Sequence, residues 1–204
     1  MRTIDDIREV LRAGADKVAI NTAAIKDPQF IKEAARRFGS STIVVAIEAI
    51  KEGDGKYLAY TDNGREHTGL EVILWAQKAE QLGAGEIVIT SVDKEGTGEG
   101  FDIELTTKVA NAVGIPVIAH GGAGSPGDVL NVIQQAKIDA VAVASVLHYN
   151  FIKLQADTGN YQQEGNTSFL KSGNAYNKIK PCTLTDIKTH LKAAGIPVRS
   201  ILYE

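Results

Sequence analysis

Short apolar runs alternate with longer amphipathic stretches along the chain. In the longer stretches apolar side chains recur every three or four positions, which predicts helices with one buried face. The short runs are apolar at nearly every position, which is typical of strands in a parallel sheet covered by helices. Five strands are predicted, over residues 17–21, 42–48, 86–90, 116–119 and 139–144.

Helices are predicted between these strands, and glycine and proline mark several of their ends. Alternation on either side of Gly53-Asp54-Gly55 predicts a small hairpin within residues 50–63. The predicted helices cover residues 3–13, 28–38, 69–82, 102–113, 126–137 and 183–194.

A unit of helix end, charged residue and strand recurs as AGADKVAI, LGAGEIVI and AKIDAVAV. Strand and helix alternation at this spacing implies right-handed βαβ units in an α/β fold. An open doubly wound sheet also fits, but no GxGxxG turn follows a first strand, so a (βα)₈ barrel is favoured. A closed barrel has eight strands, typically over ~250 residues. We therefore expect residues 1–204 to form one partial barrel that lacks its first three strands.

Composition narrows the class of protein. The formal net charge is -3, which argues against a nucleic-acid surface built on bulk positive charge. A single cysteine fits a reducing compartment, and no apolar run reaches membrane-spanning length, so a cytoplasmic location away from membranes is expected. The four histidines and one cysteine show no metal-ligand spacing, and no metal or cofactor is expected.

A glycine-rich stretch follows the fourth predicted strand and precedes a helix. In His120, Gly121 and Gly122 the glycines let backbone amides approach a phosphate, and the helix N-terminus favours an anion. Ala144 and Ser145, at the end of the next strand, are expected to add donors. The alternative is a turn needed only for chain reversal.

A second candidate phosphate site is Asn21-Thr22 at the end of the first predicted strand, although turn and capping roles explain these residues equally well. Glu48 closes the second strand, at the face of a barrel where catalysis occurs, and is a candidate general acid or base. The alternative is a solvated residue at a strand exit.

Other polar residues at strand ends are weaker candidates. Asp93, Glu95 and Gly96 lie in the loop after the third strand, where carboxylates can hold a ribose or a leaving group, or only shape the loop. His120 is a candidate proton carrier because imidazole titrates near neutral pH. Lys17 and Glu86 are the first residues of their predicted strands. From the residues alone, they are interpreted as ordinary charges at strand boundaries.

Several of these segments together resemble the cyclase subunit family of imidazole glycerol phosphate synthase. The resemblance runs from residue 2 to about 149 and resumes over about 183–199. The segments that carry it are GADKVAINTAA, STIVVAIEA, HTGLEVILWAQKAEQLGAGEIVITSVDKEGTGEGFD, IPVIAHGGAG and DAVAVASVLHY.

The resemblance implies a lyase of histidine biosynthesis that takes ammonia from a glutaminase subunit through the barrel core. Its phosphorylated ribonucleotide substrate, phosphoribulosyl-formimino aminoimidazole carboxamide ribonucleotide, is cyclised and cleaved to imidazole glycerol phosphate and aminoimidazole carboxamide ribonucleotide. Lys17 and Glu86 match members of a charged gate for ammonia at the barrel floor. The positions that match the family's phosphate sites are Asn21, Thr22, Gly121, Gly122, Ala144 and Ser145.

The chain departs from the family pattern at several positions. The family's acid-base pair is two aspartates, of which the first-strand member is absent and the second matches Glu48. Glu95 stands where the family has aspartate, and His120 where serine is usual. Residues 150–181 read as an inserted loop at the barrel mouth. These changes keep two alternatives open: a paralogue that amidates a surface-polysaccharide sugar, and a non-catalytic truncated fragment.

Overall fold

The structure is a computed structural model that describes residues 1–156 and 178–199. Its strands are β1 (Val18–Ile20), β2 (Ile43–Lys51), β3 (Tyr57–Thr61), β4 (Glu66–Glu71), β5 (Glu86–Ser91), β6 (Val117–His120) and β7 (Ala140–Ala142). The helices are α1 (Ile4–Arg12), α2 (Thr22–Lys26), α3 (Gln29–Phe38), α4 (Val72–Gln81), α5 (Ile103–Ala112), α6 (Pro126–Ala136), α7 (Ser145–Ala156) and α8 (Leu184–Ala193). A short 3₁₀ turn, Ser40–Thr42, precedes β2.

Five strands form a parallel sheet in the order β1, β2, β5, β6, β7. The five strands predicted from the apolar runs are therefore confirmed as parallel neighbours. The hairpin β3–β4 pairs antiparallel with the second half of β2, beyond the short β1. Within residues 1–156 and 178–199 the outer strands β1 and β7 do not pair, so the sheet is open. This is the α/β architecture of a (βα)₈ barrel type of domain.

The two faces of the parallel sheet differ in burial. Helices α3, α4, α5 and α6 pack against the sheet, and alternate residues along each strand, such as Ile47, Ile89 and Ala119, are fully buried. The residues between them define what we call the inner face, where most residues are partly buried, Thr90 is buried and Ala140 is exposed. The inner face consists of Ala46, Glu48, Val88, Thr90, Ile118, His120, Ala140 and Ala142. Polar groups on this face can therefore reach a ligand.

Element boundaries differ from the prediction in several places. The helix predicted from residue 69 begins at Val72, because residues 66–71 pair with β3 as a strand and Glu71 caps the helix through the Leu74 amide. The predicted loop over 150–181 differs at its start, since residues 150–156 form the second half of α7. Residues 157–177 of that predicted loop lie outside the described residues.

Two structural findings concern the expectations drawn from composition, one about membrane-spanning helices and one about the cysteine. In residues 1–156 and 178–199, every helix is too short or too polar to cross a membrane. The cysteine at position 182 is free and buried, and burial, followed by the nearby Asp186 carboxylate, raises the pKa of its thiol. A buried thiol with a raised pKa is a poor nucleophile, so Cys182 is a packing residue.

The hairpin is attached to α5 by a cluster around Tyr57, which is 3% exposed. The Tyr57 hydroxyl lies 3.1 Å from both carboxylate oxygens of Asp102, the residue that caps α5. Lys51 and Lys108 both pair with Glu104, and both ammonium groups lie 5.4 Å from the centre of the Tyr57 ring. Burial first, and then the charge of Asp102, raise the pKa of Tyr57.

Tyr57→Phe is expected to lower the free energy of unfolding by about 2 kcal/mol at pH 7, the usual net loss for a hydrogen bond to a charged group. The folded chain holds the phenol proton more tightly than the unfolded chain, so this contribution is complete below the ordinary tyrosine pKa of 10.0 and is lost as pH rises above it. Urea unfolding between pH 7 and 11 measures both effects. A wild type whose alkaline loss of stability is no steeper than that of Tyr57→Phe would contradict this assignment.

Candidate functional site

The predicted site residues collect at one edge of the sheet, where the parallel strands reach their carboxyl ends. Two of the cavities along this edge lie at its opposite ends. One is next to β1 and β2, and the other is next to β6 and β7, at the opposite end of the strand order. In open or closed α/β sheets the carboxyl edge is where ligands bind.

The smaller cavity, which we call the glycine cavity, has a volume of about 40 Å³. It brings together seven of the residues predicted for the site, from the loops after β5, β6 and β7. Its lining is Glu95, Gly96, His120, Gly121, Gly122, Ala123, Ala142, Val143, Ala144 and Ser145. The prediction that the stretch after β6 and the start of α7 form one site thus agrees with their placement.

Close packing between two loops explains the glycines themselves. Gly121 and Gly122 have φ of +91° and +105°, a region that side chains rarely adopt. A Cβ on Gly121 would lie 2.6 Å from the Ser91 carbonyl oxygen, and one on Gly122 would collide with the Gly100 carbonyl. The Gly100 amide donates to the Gly122 carbonyl at 2.8 Å, which holds the two loops together. The turn is therefore a packing requirement as well as a candidate anion site.

Backbone amides at this turn differ in their availability. The Gly124 amide donates to Asp128 Oδ2 at 3.0 Å, and the Ser125 hydroxyl donates to the same oxygen at 2.9 Å. Ser125 occupies the N-cap position of α6 but makes no side-chain capping bond to that helix. The amides of residues 121–123 donate no hydrogen bond to another residue in the described ranges. These three amides can donate to an anion.

Two lysines near the glycine cavity, Lys94 and Lys178, are already paired with Glu99. Glu99 accepts hydrogen bonds from Lys178 and Lys94, and these ammonium groups, Lys178 first, hold the pKa of Glu99 below its ordinary value. Lys178 is among the residues that pack against Gly98 and Gly124. An anion in the cavity would therefore be held by backbone amides and neutral side chains more than by lysines.

The larger cavity, about 830 Å³, contains the other predicted donors and the predicted acid-base residue. Asn21 and Thr22 follow β1, and Glu48 lies near the end of β2. The Oδ1 atom of Asn21 is buried and has no hydrogen-bond partner among the described residues. Side chains of both charges also line this cavity, and they are Arg2, Lys26, Asp27, Asp62 and Glu66.

Glu48 is held from one side by the turn of the β3–β4 hairpin. The Gly64 amide donates to its Oε2 at 2.8 Å, and Oε1 makes no hydrogen bond to the described residues. Asp62, Asn63 and Gly64 all have positive φ, and a Cβ on Gly64 would lie 2.8 Å from Val92. The turn thus fixes one carboxylate oxygen and leaves the other for a ligand in the larger cavity.

A row of polar side chains joins the two cavities across the inner face. Glu48 is paired in register with Thr90, and Thr90 with His120. The Thr90 hydroxyl lies 3.0 Å from Nδ1 of His120. Since residues in register on neighbouring parallel strands point to the same face, a carboxylate, a hydroxyl and an imidazole follow one another at the carboxyl edge.

Asp93 lines neither of these two cavities but a third one, of about 460 Å³, next to the ends of β2 and β5. Its Oδ2 accepts from the Lys51 amide at 2.9 Å, which ties the loop after β5 to the end of β2. This contact fits the loop-shaping alternative, and the ligand role of Asp93 stays a prediction. Lys17 and Glu86 lie at the amino ends of β1 and β5, where Lys17 Nζ is 2.7 Å from Glu86 Oε1 and 2.8 Å from the Ser41 carbonyl. The two charges predicted at the barrel floor are therefore in contact.

Two features of the site were missed from the sequence although a signal was present. The run Asp62-Asn63-Gly64 is a strong turn signal, but its position over Glu48 depends on how the hairpin pairs. Thr90 is four residues beyond Glu86, so a period of two places both on the inner face.

In the described ranges no group of three or more histidine, cysteine or acidic residues is arranged to hold a metal.

Comparisons with known proteins show which family the chain belongs to. A chain from Alkaliphilus metalliredigens (strain QYMF) named imidazole glycerol phosphate synthase subunit HisF is 46% identical over 154 residues, which cover 76% of this chain and 61% of that protein. Proteins of the same name from Dehalococcoides mccartyi strains BAV1 and CBDB1 are each 42% identical over 199 residues, covering 98% of this chain and 66% of theirs.

The chain spans about three fifths to two thirds of the length of these curated relatives. A model of the family described as "Histidine biosynthesis protein" matches residues 1–153, which include both cavities and the row between them. On these matches, the chain belongs to the histidine biosynthesis protein family.

Proposed function

We propose that this chain carries the cyclase chemistry of imidazole glycerol phosphate synthase in the cytoplasm, as a lyase that works with a glutaminase subunit. The substrate is phosphoribulosyl-formimino aminoimidazole carboxamide ribonucleotide, and the products are imidazole glycerol phosphate and aminoimidazole carboxamide ribonucleotide. The observation that carries the proposal is the placement of two donor-lined cavities at opposite ends of one sheet edge, with Glu48 in one of them. An elongated substrate with two phosphate groups would place one phosphate in each cavity.

Each end of the substrate has candidate donors. The glycine cavity supplies the amides of residues 121–123 and the start of α7 at Ser145. The larger cavity supplies Asn21 and Thr22, with Arg2 and Lys26 on its lining for charge balance. The buried Asn21 Oδ1 lacks a partner, and a ligand hydroxyl or amine in this cavity would satisfy it.

Glu48 is the group that would move protons during ring closure. Its Oε2 is held by the Gly64 amide, and this fixes the direction of the free Oε1. A carboxylate in that position accepts a proton from the attacking ammonia nitrogen and returns one to the departing group. In this proposal, Glu95 on the glycine cavity binds substrate hydroxyls rather than phosphate, because two anions would repel each other.

Ammonia would enter from the opposite edge of the sheet. The Lys17–Glu86 pair lies there, with side chains 44% and 20% exposed, so it can open without loss of a buried charge. This makes the amino edge the proposed docking side for the glutaminase subunit and leaves the carboxyl edge for the ribonucleotide.

The direct test is product formation by the purified chain supplied with the ribonucleotide and an ammonium salt. We expect imidazole glycerol phosphate and aminoimidazole carboxamide ribonucleotide in equal amounts by chromatography, with glutamine replacing ammonium once the glutaminase subunit is added. Growth of a histidine auxotroph lacking its cyclase gene is the matching test in cells. A folded chain that binds the ribonucleotide but forms neither product would overturn the proposal.

One observation favours a second candidate, a paralogue that delivers ammonia to a surface-polysaccharide sugar. His120 lines the glycine cavity at a position where the resembled family usually has serine, which changes the shape and hydrogen bonding of the acceptor pocket. The same assay distinguishes the two, since this paralogue would consume ammonia only with a sugar acceptor. A non-catalytic fragment would bind the glutaminase subunit and turn over neither acceptor.

A further inference from the structure

The contact between Thr90 and His120 is a buried polar pair that the proposed chemistry does not yet use. Thr90 is 8% exposed, and its Oγ1 lies 3.0 Å from His120 Nδ1. His120 itself is half-buried and lines the glycine cavity. The pair therefore connects the middle of the sheet edge with the candidate phosphate site.

The hydrogen-bond partners of the Thr90 hydroxyl favour one tautomer of the His120 ring. The Thr90 hydroxyl has no other acceptor among the described residues, so a His120 ring that donated from Nδ1 would leave that buried hydroxyl hydrogen unpaired. An unpaired buried donor costs roughly 1–3 kcal/mol. This cost favours Thr90 as the donor and Nδ1 as the acceptor, which places the proton of a neutral imidazole on Nε2.

We infer that Thr90 is a positioning residue that fixes His120 as an Nε2–H donor to a phosphoryl oxygen in the glycine cavity. The inference deepens the proposed function and depends on it for the identity of the ligand. His120 would then complete a set of donors with the amides of residues 121–123, which donate to no other described residue.

The surroundings of His120 leave this direction of donation unchanged. On the neighbouring strand β7, Ala142 is in register with His120 and carries no polar group. The charged groups that share its surroundings are Glu95, which lines the same cavity, and Glu48, two strands away on β2. Lys94 lies across from Gly122, but its ammonium group pairs with Glu99.

Nitrogen NMR of the histidine-labelled chain tests the positioning directly. Free Nδ1 and protonated Nε2 have distinct ¹⁵N shifts, and the His120 signals are those absent from the His120→Asn spectrum. We expect the Nε2–H form in the wild type and in Thr90→Ser, which keeps the hydroxyl. In Thr90→Val, which is nearly the same size, we expect a mixture of the two neutral forms. An Nδ1–H form in the wild type would overturn the inference.

Titration with inorganic phosphate and with glycerol phosphate tests the ligand contact. We expect both to move the His120 Nε2 signal, and we expect Thr90→Val to weaken phosphate binding about fivefold while Thr90→Ser stays within twofold. Equal affinity in the Thr90→Val chain, or an Nε2 signal that ignores phosphate, would reject the inference even if cyclase activity is found. Conversely, a phosphate-dependent Nε2 signal in a chain without cyclase activity would reject the proposed function alone.

Discussion

Glu48→Gln is expected to lower the rate of ammonia-dependent product formation by a factor of about 10² to 10⁴, the range lost when a general acid or base is removed. Glutamine has nearly the same shape as glutamate, and its amide oxygen can still accept from the Gly64 amide. It cannot accept a proton from the attacking nitrogen. The loss should therefore appear in kcat, whereas the KM for the ribonucleotide and the melting temperature should remain close to wild type.

Two further variants separate charge from position. Glu52→Gln changes the next carboxylate along the chain, directly after β2. Glu52 accepts a hydrogen bond from Tyr60 and lies outside the cavity that contains Glu48, so the rate of this variant should match wild type. Glu48→Asp keeps the negative charge but moves the carboxylate back by over ~1 Å. This variant should therefore lose less of the rate than Glu48→Gln does. If Glu48→Gln turns over as fast as Glu52→Gln, then Glu48 is not the proton-transfer group.

Strand positions could be predicted because local composition decides them. The runs that became β2 and β5 are apolar and β-branched at nearly every position, and no helical period competes with them. β4 was missed because Glu66 and His67 are exposed and show no apolar alternation, so only pairing with β3 makes the segment a strand. The same pairing shortened the predicted α4, since Gly69, at φ +76°, cannot continue a helix.

The helix α7 shows a second limit of reading one sequence. Its residues, SVLHYNFIKLQA, spread apolar side chains around the helix rather than along one face, so no amphipathic period marks it. The prediction therefore treated residues 150–156 as part of a loop. The start of the same helix, at Ser145, was predicted as part of the site because it follows a strand at the carboxyl edge, and it lines the glycine cavity.

Candidate site residues were predictable one by one, but their partners were not. Glu48, His120 and Gly122 each stand at the end of an apolar run, which identifies the functional edge of a parallel sheet. The strand register then decides that Thr90 lies between Glu48 and His120. Side-chain and loop geometry decide that Asp93 accepts from Lys51 and that the hairpin turn reaches Glu48. Neither contact leaves a trace in the spacing of residues along the chain.

The glycine turn combines a packing role with the proposed phosphate role, so one methyl group should damage both. Gly122→Ala forces a side chain into φ +105° and into the Gly100 carbonyl, whose separation from that Cβ would be well under 3.0 Å. Backbone strain of this kind and the displaced loop should together lower the free energy of unfolding by about 3 kcal/mol. The amides of residues 121–123 would shift with the loop, and phosphate affinity should fall tenfold or more.

Gly127→Ala is the matched control, because it makes the same change five residues later on an exposed position in the first turn of α6. A Cβ there would meet only Ser125 Oγ at 3.5 Å, an ordinary contact, and alanine favours a helix by up to ~1 kcal/mol over glycine. Urea unfolding should therefore show opposite signs for the two variants, and calorimetric titration with phosphate should show a loss only for Gly122→Ala. Wild-type phosphate affinity in a folded Gly122→Ala chain would mean that the turn serves packing alone and that the phosphate binds elsewhere.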